Sequence, residues 1–308
     1  MKGRVTKSTG SWYNVRLEDG TTVQARVKGK LRLVERRTTN PVNIGDVVMV
    51  DTEDGDTVIR EVLPRTNYII RQSSRNRTAE HILACNIDQA LLMATISQPR
   101  TSSGFIDRFL VTATAYHIPS ILLFNKMDLY EEKEMKILNE MKSAYSIAGY
   151  RVIMTSAVRK EGVDEVKELM MNKTSLLAGH SGVGKSTLIN AIVPELDLKT
   201  SELSGYHEKG KHTTTFAEMF ELPFGGFIID TPGIKEFGII DFEESEVSHY
   251  FPEMEKRLHD CRFNNCLHIN EPGCAVKDAV EKGEIAISRY ENYLSIIYEL
   301  KTDEKIYD

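Results

Sequence analysis

The sequence predicts a multidomain α/β chain in three parts: an N-terminal β-barrel, a central α/β domain with a mainly parallel sheet, and a C-terminal helical, metal-binding segment. Three observations carry this reading. From Met1 to about Thr66, apolar and polar residues alternate over short runs ended by glycine turns, as in half-buried antiparallel strands. Residues 80–240 instead carry near-continuous apolar runs between amphipathic helical stretches, the pattern of parallel strands buried on both faces. Beyond Ile240 strands disappear, and three cysteines crowd around a histidine. The expected boundaries are 1–68, 69–240 and 241–308.

In the first part the runs SWYNVRL, TTVQARV, VVMVD and TVIREV are divided by Glu18-Asp19-Gly20 and a Gly-Asp turn. Short strands with a glycine at each turn fit a five-stranded oligonucleotide-binding (OB) barrel, whose loops and one face commonly hold RNA. Strand spacing alone leaves open a barrel that merely packs against its neighbour. Arg26, Lys28, Lys30, Arg32, Arg36 and Arg37 concentrate positive charge here, although the whole chain carries a net charge of -6. That balance argues against indiscriminate nucleic-acid binding, whereas a local basic face suits a specific anionic partner.

The second part contains the runs QALLMATI, SILLFNK, RVIMTSA, SLLAG, AEMFELP and GFIID, each expected as a buried strand of the parallel sheet after a polar connector at 71–80. Gly179-His180-Ser181-Gly182-Val183-Gly184-Lys185-Ser186 matches the phosphate-loop pattern, and it sits between the run SLLA and the helical TLINAI. Its glycines let backbone N–H groups close around phosphate oxygens, the following helix offers its positive end, and Lys185 neutralises charge on the β and γ phosphates. Ser186 is expected to ligate Mg²⁺ and Thr187 to face the α phosphate. Asp230-Thr231-Pro232-Gly233 follows the strand GFIID. Asp230 there can hold Mg²⁺ through water, and the Gly233 N–H can sense the γ phosphate.

Asn125-Lys126-Met127-Asp128 closes the strand SILLF. The Asp128 carboxylate can accept the two donors that guanine offers at N1 and N2, where adenine offers an acceptor and no amine. GTP is therefore expected over ATP. Asn125 would tie neighbouring loops to the base edge, and the Lys126 stem would lie over the purine. Ser156-Ala157, ending RVIMT, would complete the pocket with a backbone N–H to the guanine oxygen.

The motif order is the informative part. In ordinary small GTPases the phosphate loop comes first, but here the guanine motifs at 125–128 and 156–157 precede the loop at 179–187 and the DTPG at 230–233. The central part is thus a circularly permuted P-loop GTPase domain, a rearrangement that moves exposed ends and keeps sheet contacts. On these motifs, in this order, the chain resembles the bacterial ribosome small-subunit-dependent GTPase A family, often called RsgA. The resemblance spans the whole chain and implies an OB barrel, a permuted GTPase domain and a zinc domain. It further implies GTP hydrolysis late in assembly of the small ribosomal subunit, stimulated by the subunit and followed by release. The implied partners are that subunit and its rRNA, met by a monomer that touches no membrane.

Between the phosphate loop and DTPG lies the polar stretch TSELSGYHEKGKHTTTF, a candidate for a segment ordered by the γ phosphate. Thr214 is the expected Mg²⁺ ligand, with Thr213 and Thr215 as alternatives. Where many GTPases carry a water-orienting Gln after DxxG, this chain has Ile234, which cannot position water. His212 is the expected substitute, a role the resemblance supports; otherwise it is a solvated loop histidine. A non-hydrolysing, GTP-dependent RNA- or ribosome-binding module is the alternative if that substitution fails.

Cys261, Cys266, His268 and Cys274 supply three thiolates and one imidazole, the set that a closed tetrahedral Zn²⁺ site needs. One structural zinc is expected, organising a short-loop domain without a large core, with His259 as the alternative imidazole. Cys85 is expected as a buried thiol. Four cysteines cannot staple 308 residues, and their clustering suits a reducing compartment. No apolar run approaches the ~20 residues of a membrane helix. The start MKGRVTKSTG has no apolar signal core, so a cytoplasmic protein is expected.

Overall fold

The structure is a computed structural model that describes residues 1–32, 41–53, 55–72, 80–196, 218–230 and 242–304. In chain order the strands are β1 (Lys2–Ser8), β2 (Trp12–Leu17), β3 (Thr22–Arg32), β4 (Val47–Glu53), β5 (Asp56–Val62), β6 (Tyr68–Gln72), β7 (Glu80–Cys85), β8 (Gln89–Ala94), β9 (Ser120–Phe124), β10 (Arg151–Met154), β11 (Thr174–Ala178), β12 (Glu218–Glu221) and β13 (Phe227–Asp230). The helices are α1 (Ser103–Ala115), α2 (Glu132–Ile147), α3 (Val163–Met170), α4 (Lys185–Ile192), α5 (Pro252–Glu255), α6 (Ala275–Glu281) and α7 (Ile287–Glu304). They assemble into two compact units, one of Met1–Leu91, Val163–Ser181 and Lys185–Glu236, the other of Leu92–Gly162, Gly182–Gly184 and Phe237–Asp308.

In the first unit, β1-β2-β3-β5-β4 form a ring that closes where β4 returns to β1, pairing Lys2 with Met49 and Arg4 with Val47. This is the OB barrel. Alternation puts Val5, Val15, Ala25, Val48 and Ile59 inside with no exposed surface. Gly3 lies where β1 crosses β2 so closely that a Cβ would come within 2.6 Å of Val15 Cγ1 and 2.8 Å of the Arg16 carbonyl.

The barrel does not stand apart from the α/β sheet. Lys7 of β1 pairs with Glu218 of β12, and the strand order continues β1-β12-β13-β11-β8. Ion pairs Lys7–Glu218 and Arg16–Glu221, each at 2.8 Å, line this junction. Arg4 donates to Thr174 Oγ1 at 2.6 Å and lies 5.5 Å from the Phe227 ring centre. The run AEMFELP, expected as a parallel strand, is corrected here: β12 runs antiparallel to β13. Its five-residue turn, closed by Leu222 and Gly226, is too short for the crossover that a parallel pair requires. The stretch read as a plain connector at 71–80 takes in the end of β6 and the start of β7, which pair antiparallel; residues 73–79 lie outside the described residues.

In the second unit β9 and β10 run parallel in the register Arg151↔Ile121 to Met154↔Phe124. The C-terminal helices fold into this same unit, and the expectation that they lack a large core is wrong. Val247, Phe251, Met254, Val276, Ile285, Tyr293, Ile296 and Ile297 are fully buried together with Val111 of α1. The apolar face of α7 centres on Tyr293 and Ile297, with Tyr290, Leu294 and Leu300 partly buried at its margins.

Candidate nucleotide and metal sites

β11, buried along its whole length, delivers the chain into the phosphate loop. Gly179, Gly182 and Gly184 take φ of 140°, 83° and 99°, values that side chains resist. The loop turns straight into α4, whose first residues Lys185 and Ser186 are buried. Lys185 Nζ donates to the carbonyls of Gly179 at 2.8 Å and His180 at 2.9 Å, so the ammonium sits within the loop's own curve. Ser181 and Gly182 are exposed, whereas Val183 is fully buried.

The guanine motif lies at the end of β9. Asn125 is 2 % exposed and every polar group on it is engaged. Its Nδ2 donates to the Val183 carbonyl at 2.9 Å, and its Oδ1 accepts from Thr155 Oγ1 at 3.0 Å and the Ala157 N–H at 3.2 Å. Its backbone N–H donates to the Ala94 carbonyl at 2.9 Å, and its carbonyl accepts from the Tyr130 hydroxyl at 2.5 Å. Gly184 must be glycine for this to hold, because a Cβ there would lie 2.5 Å from Asn125 Nδ2.

Lys126 takes the left-handed conformation, φ 67°, and its Nζ donates to the Gln98 carbonyl. Asp128 accepts from Ser156 Oγ at 2.5 Å, and Ser156 Oγ in turn accepts from the Arg159 N–H at 3.1 Å. The Ser156 N–H donates to the Glu161 carbonyl at 3.0 Å. Both backbone N–H groups of Ser156-Ala157 thus have partners within the protein.

At the C-terminal cluster the ligand atoms of Cys261, Cys266, His268 and Cys274 lie within 4.8 Å of one another. His268 Nδ1 is 3.3 Å from Cys274 Sγ and 3.7 Å from Cys261 Sγ, so the imidazole in the cluster is His268 and not His259. His268 is held at φ 57° by bonds on either side. The Glu271 carboxylate accepts from the N–H groups of Leu267, Ile269 and Asn270 at 2.8 to 3.0 Å. Tyr293 and Tyr290 of α7 donate to the carbonyls of Leu267 at 2.8 Å and His268 at 2.6 Å. Burial, reinforced by Cys274 and Cys261, pushes the Cys266 thiol up to about 12. Burial also keeps His268 below its usual range and therefore neutral. Three sulfurs and a neutral imidazole at this spacing fit a tetrahedral cation that would stabilise the thiolates.

His212, Thr213, Thr214, Thr215, Gly233 and Ile234 lie outside the described residues, as do Arg36 and Arg37. For Asp230 the backbone is placed at the end of β13, opposite Leu177 and Glu218. Cys85 is fully buried on β7. Sequence reasoning missed Thr155 and Tyr130, which hold Asn125, because neither belongs to a recognised motif. It also missed Arg289, a fully buried guanidinium on α7 that only tertiary contacts reveal. None of the described helices is long and apolar enough to cross a membrane.

Comparison with known proteins agrees with this arrangement. A family model described as RsgA GTPase matches residues 62–240, and one described as RsgA N-terminal domain matches residues 2–59. A small ribosomal subunit biogenesis GTPase RsgA of Christiangramia forsetii is 53% identical over 301 residues, covering 96% of each chain. The protein of the same name from Bacteroides fragilis is 51% identical over 298 residues, again covering 96% of each. Among solved structures, YjeQ from Thermotoga maritima superposes with a TM-score of 0.81 at 38% identity, covering 97% of this chain and 98% of its own. YloQ, described as a circularly permuted GTPase, gives 0.76 at 31% identity over 98% and 95%. With the barrel, the permuted motif order and these matches in agreement along nearly its whole length, the chain belongs to the RsgA GTPase family.

Proposed function

We propose that this chain hydrolyses GTP during maturation of the small ribosomal subunit, as the names of its relatives describe, and that its activity depends on the subunit. The observation that carries this is the hydrogen bond from Asn125 to Val183, which ties the guanine motif to the phosphate loop despite their permuted order. In this reading Asp128 recognises the guanine edge, held by Ser156, while Lys126 lines the purine face. The Ala157 N–H, only loosely donated to Asn125, would be shared with the base oxygen.

Gly179, His180, Ser181, Gly182, Val183 and Gly184 wrap the phosphates with backbone N–H groups. Lys185, now bound to two loop carbonyls, would exchange them for phosphate oxygens. Ser186 and Thr214 would hold Mg²⁺ with Asp230 behind it, Thr187 would face the α phosphate, and Gly233 would read the γ phosphate. Bound Mg²⁺ supplies neutralisation of charge on the β and γ oxygens. His212 takes the water-positioning task that Ile234 cannot perform.

Cys261, Cys266, His268 and Cys274 would hold one structural Zn²⁺. The parts 1–68, 69–240 and 241–308 serve as rRNA-binding barrel, GTPase and zinc-binding domain. The basic residues at alternate positions of β3 from Arg26 to Arg32 support contact with rRNA phosphates. The protein acts as a cytoplasmic monomer. Single-turnover phosphate release with and without purified small subunits tests the reading. Stimulation by subunits is expected; tight GTP binding with no hydrolysis in either condition would favour the non-hydrolysing module instead.

A further inference from the structure

The loop from Thr95 to Thr101 carries no recognised motif, yet it is built against the guanine motif. Thr95 and Thr101 close it on itself: the Thr101 N–H donates to the Thr95 carbonyl at 2.9 Å, and the Thr95 N–H to Thr101 Oγ1 at 3.1 Å. Thr95 Oγ1 donates to the Pro99 carbonyl across the same turn. The loop then offers the Gln98 carbonyl to Lys126 Nζ and lays Pro99 against Gly182 of the phosphate loop.

Tyr130 joins this loop to the motif. Its hydroxyl donates to the Asn125 carbonyl at 2.5 Å and accepts from the Ile96 N–H at 2.9 Å, so one oxygen bridges the end of β9 and the start of the loop. Burial raises the Tyr130 hydroxyl above its usual range, so the donor proton is present throughout the physiological range. Lys126, meanwhile, sits in the left-handed conformation at φ 67°, which is uncommon for a residue with a side chain and is strained unless contacts hold it. Its two flanking constraints are the Asn125 carbonyl, fixed by Tyr130, and its own ammonium, fixed by Gln98.

We infer that Tyr130 is a positioning residue for guanine-nucleotide binding, latching the Thr95–Thr101 loop to the Asn125-Lys126 backbone so that Lys126 is set in place before the purine arrives. The inference rests on the assignment of Asn125 to Asp128 as the guanine site. In this role Tyr130 would hold the Asn125-Lys126 backbone and not the nucleotide itself. Its hydroxyl acts on the base end alone, so it should affect guanine nucleotides with two or three phosphates alike and leave the phosphate chemistry untouched.

The test uses the full chain carrying Tyr130→Phe or Thr95→Val, with GDP and GTP binding followed by fluorescence and turnover followed on purified small subunits. Tyr130→Phe should weaken GDP and GTP by a similar factor, about tenfold, because ordering the latch then falls to the nucleotide. KM should rise correspondingly with subunit-stimulated kcat unchanged. Thr95→Val, which removes only the bond within the loop and keeps the side-chain shape, should move the same quantities by about threefold. A variant that melts earlier but binds GDP and GTP as the natural chain does, at a temperature where it is folded, overturns the inference. A fall in kcat at unchanged KM overturns it too. Asp128→Asn serves as the control: failure to shift preference from GTP to XTP would reject the guanine site itself, whereas a shift there with no effect at Tyr130 and Thr95 would reject the latch alone.

Discussion

Asn125 Nδ2 lies 2.9 Å from the carbonyl oxygen of Val183, joining positions 58 residues apart in the chain. The guanine motif ends one strand and the phosphate loop follows another, and permutation has changed only the order in which the chain visits them. Because Val183 is fully buried, its carbonyl cannot turn to water if the amide is removed.

Asn125→Ala should therefore destabilise the fold by about 2–3 kcal/mol, since the Val183 carbonyl, the Thr155 hydroxyl and the Ala157 N–H lose a partner together. Guanine-nucleotide affinity should fall at least tenfold. Asn125→Asp should be no rescue, because it sets a carboxylate oxygen against a carbonyl oxygen at hydrogen-bond distance. Urea titration and GDP binding check both; an aspartate variant that matches the natural chain would show the Val183 bond to be dispensable.

Much of this was legible in the sequence, and the reason differs by region. The barrel was readable because period-2 alternation puts Val5, Val15 and Ala25 inside, a local signal that closure merely completes. The phosphate and guanine motifs were readable because their chemistry fixes residue types at fixed spacing. The β12–β13 hairpin was misread, since a short apolar run looks the same in a parallel or antiparallel strand. The helical core was missed because α1 contributes Val111 from 130 or more positions away, and no local pattern encodes that. Arg289 was invisible for a like reason: a single arginine in a charged helix reads as solvated until Asp107 and Glu253 are seen beside it.

Asp128→Asn should keep the fold and change the base. Asn retains an oxygen to accept from Ser156 Oγ, but its other arm becomes a donor facing the donors of guanine. GTP affinity should fall on the order of a hundredfold while XTP affinity rises, as expected where a polar site meets the wrong partner. Competition between the two nucleotides on natural and variant chains measures it, and unchanged preference would remove Asp128 from the base pocket.

Metal analysis should find one zinc per chain, lost in Cys261→Ser and Cys274→Ser. The helical core of α5 to α7 predicts a graded outcome, because Phe251, Met254, Tyr293 and Ile297 share it with Val111, Val247, Val276 and Ile296 as well as with Cys274. Chelation should loosen the segment from Leu258 to Cys274, seen as faster amide exchange, and leave most of the helical circular dichroism intact. Complete unfolding of this region on zinc removal would show that the metal, and not the apolar core, sustains it.

Arg289 gives the most stringent test of how the C-terminal helices are held. Its Nε and Nη2 donate to Glu253 at 2.7 and 3.0 Å, and its Nη1 donates to Asp107 of α1 at 2.5 Å. Asn292 donates to the second Asp107 oxygen at 2.6 Å, and the rings of Tyr145, Tyr150 and Phe251 surround the guanidinium at 4.6 to 5.5 Å. Burial pushes the Asp107 carboxyl up even with Arg289 beside it, and Glu253 shares the same guanidinium. Arg289→Met keeps the apolar contact with the rings but leaves both carboxylates buried and unpaired, a loss of about 3–5 kcal/mol. The sign of its pH dependence follows. In the variant the buried Asp107 carboxyl, already raised with Arg289 beside it, loses that cation, so the folded state binds more protons than the unfolded one, and the destabilisation is full at high pH and relieved as pH falls through its folded value. Urea unfolding at pH 8 and pH 5.5 should therefore show a smaller loss at the lower pH, and adding Asp107→Asn should recover part of the loss at pH 8. An equal loss at both pH values, unimproved by Asp107→Asn, would mean that the guanidinium acts through packing and that α1 and α7 are held by their apolar contacts alone.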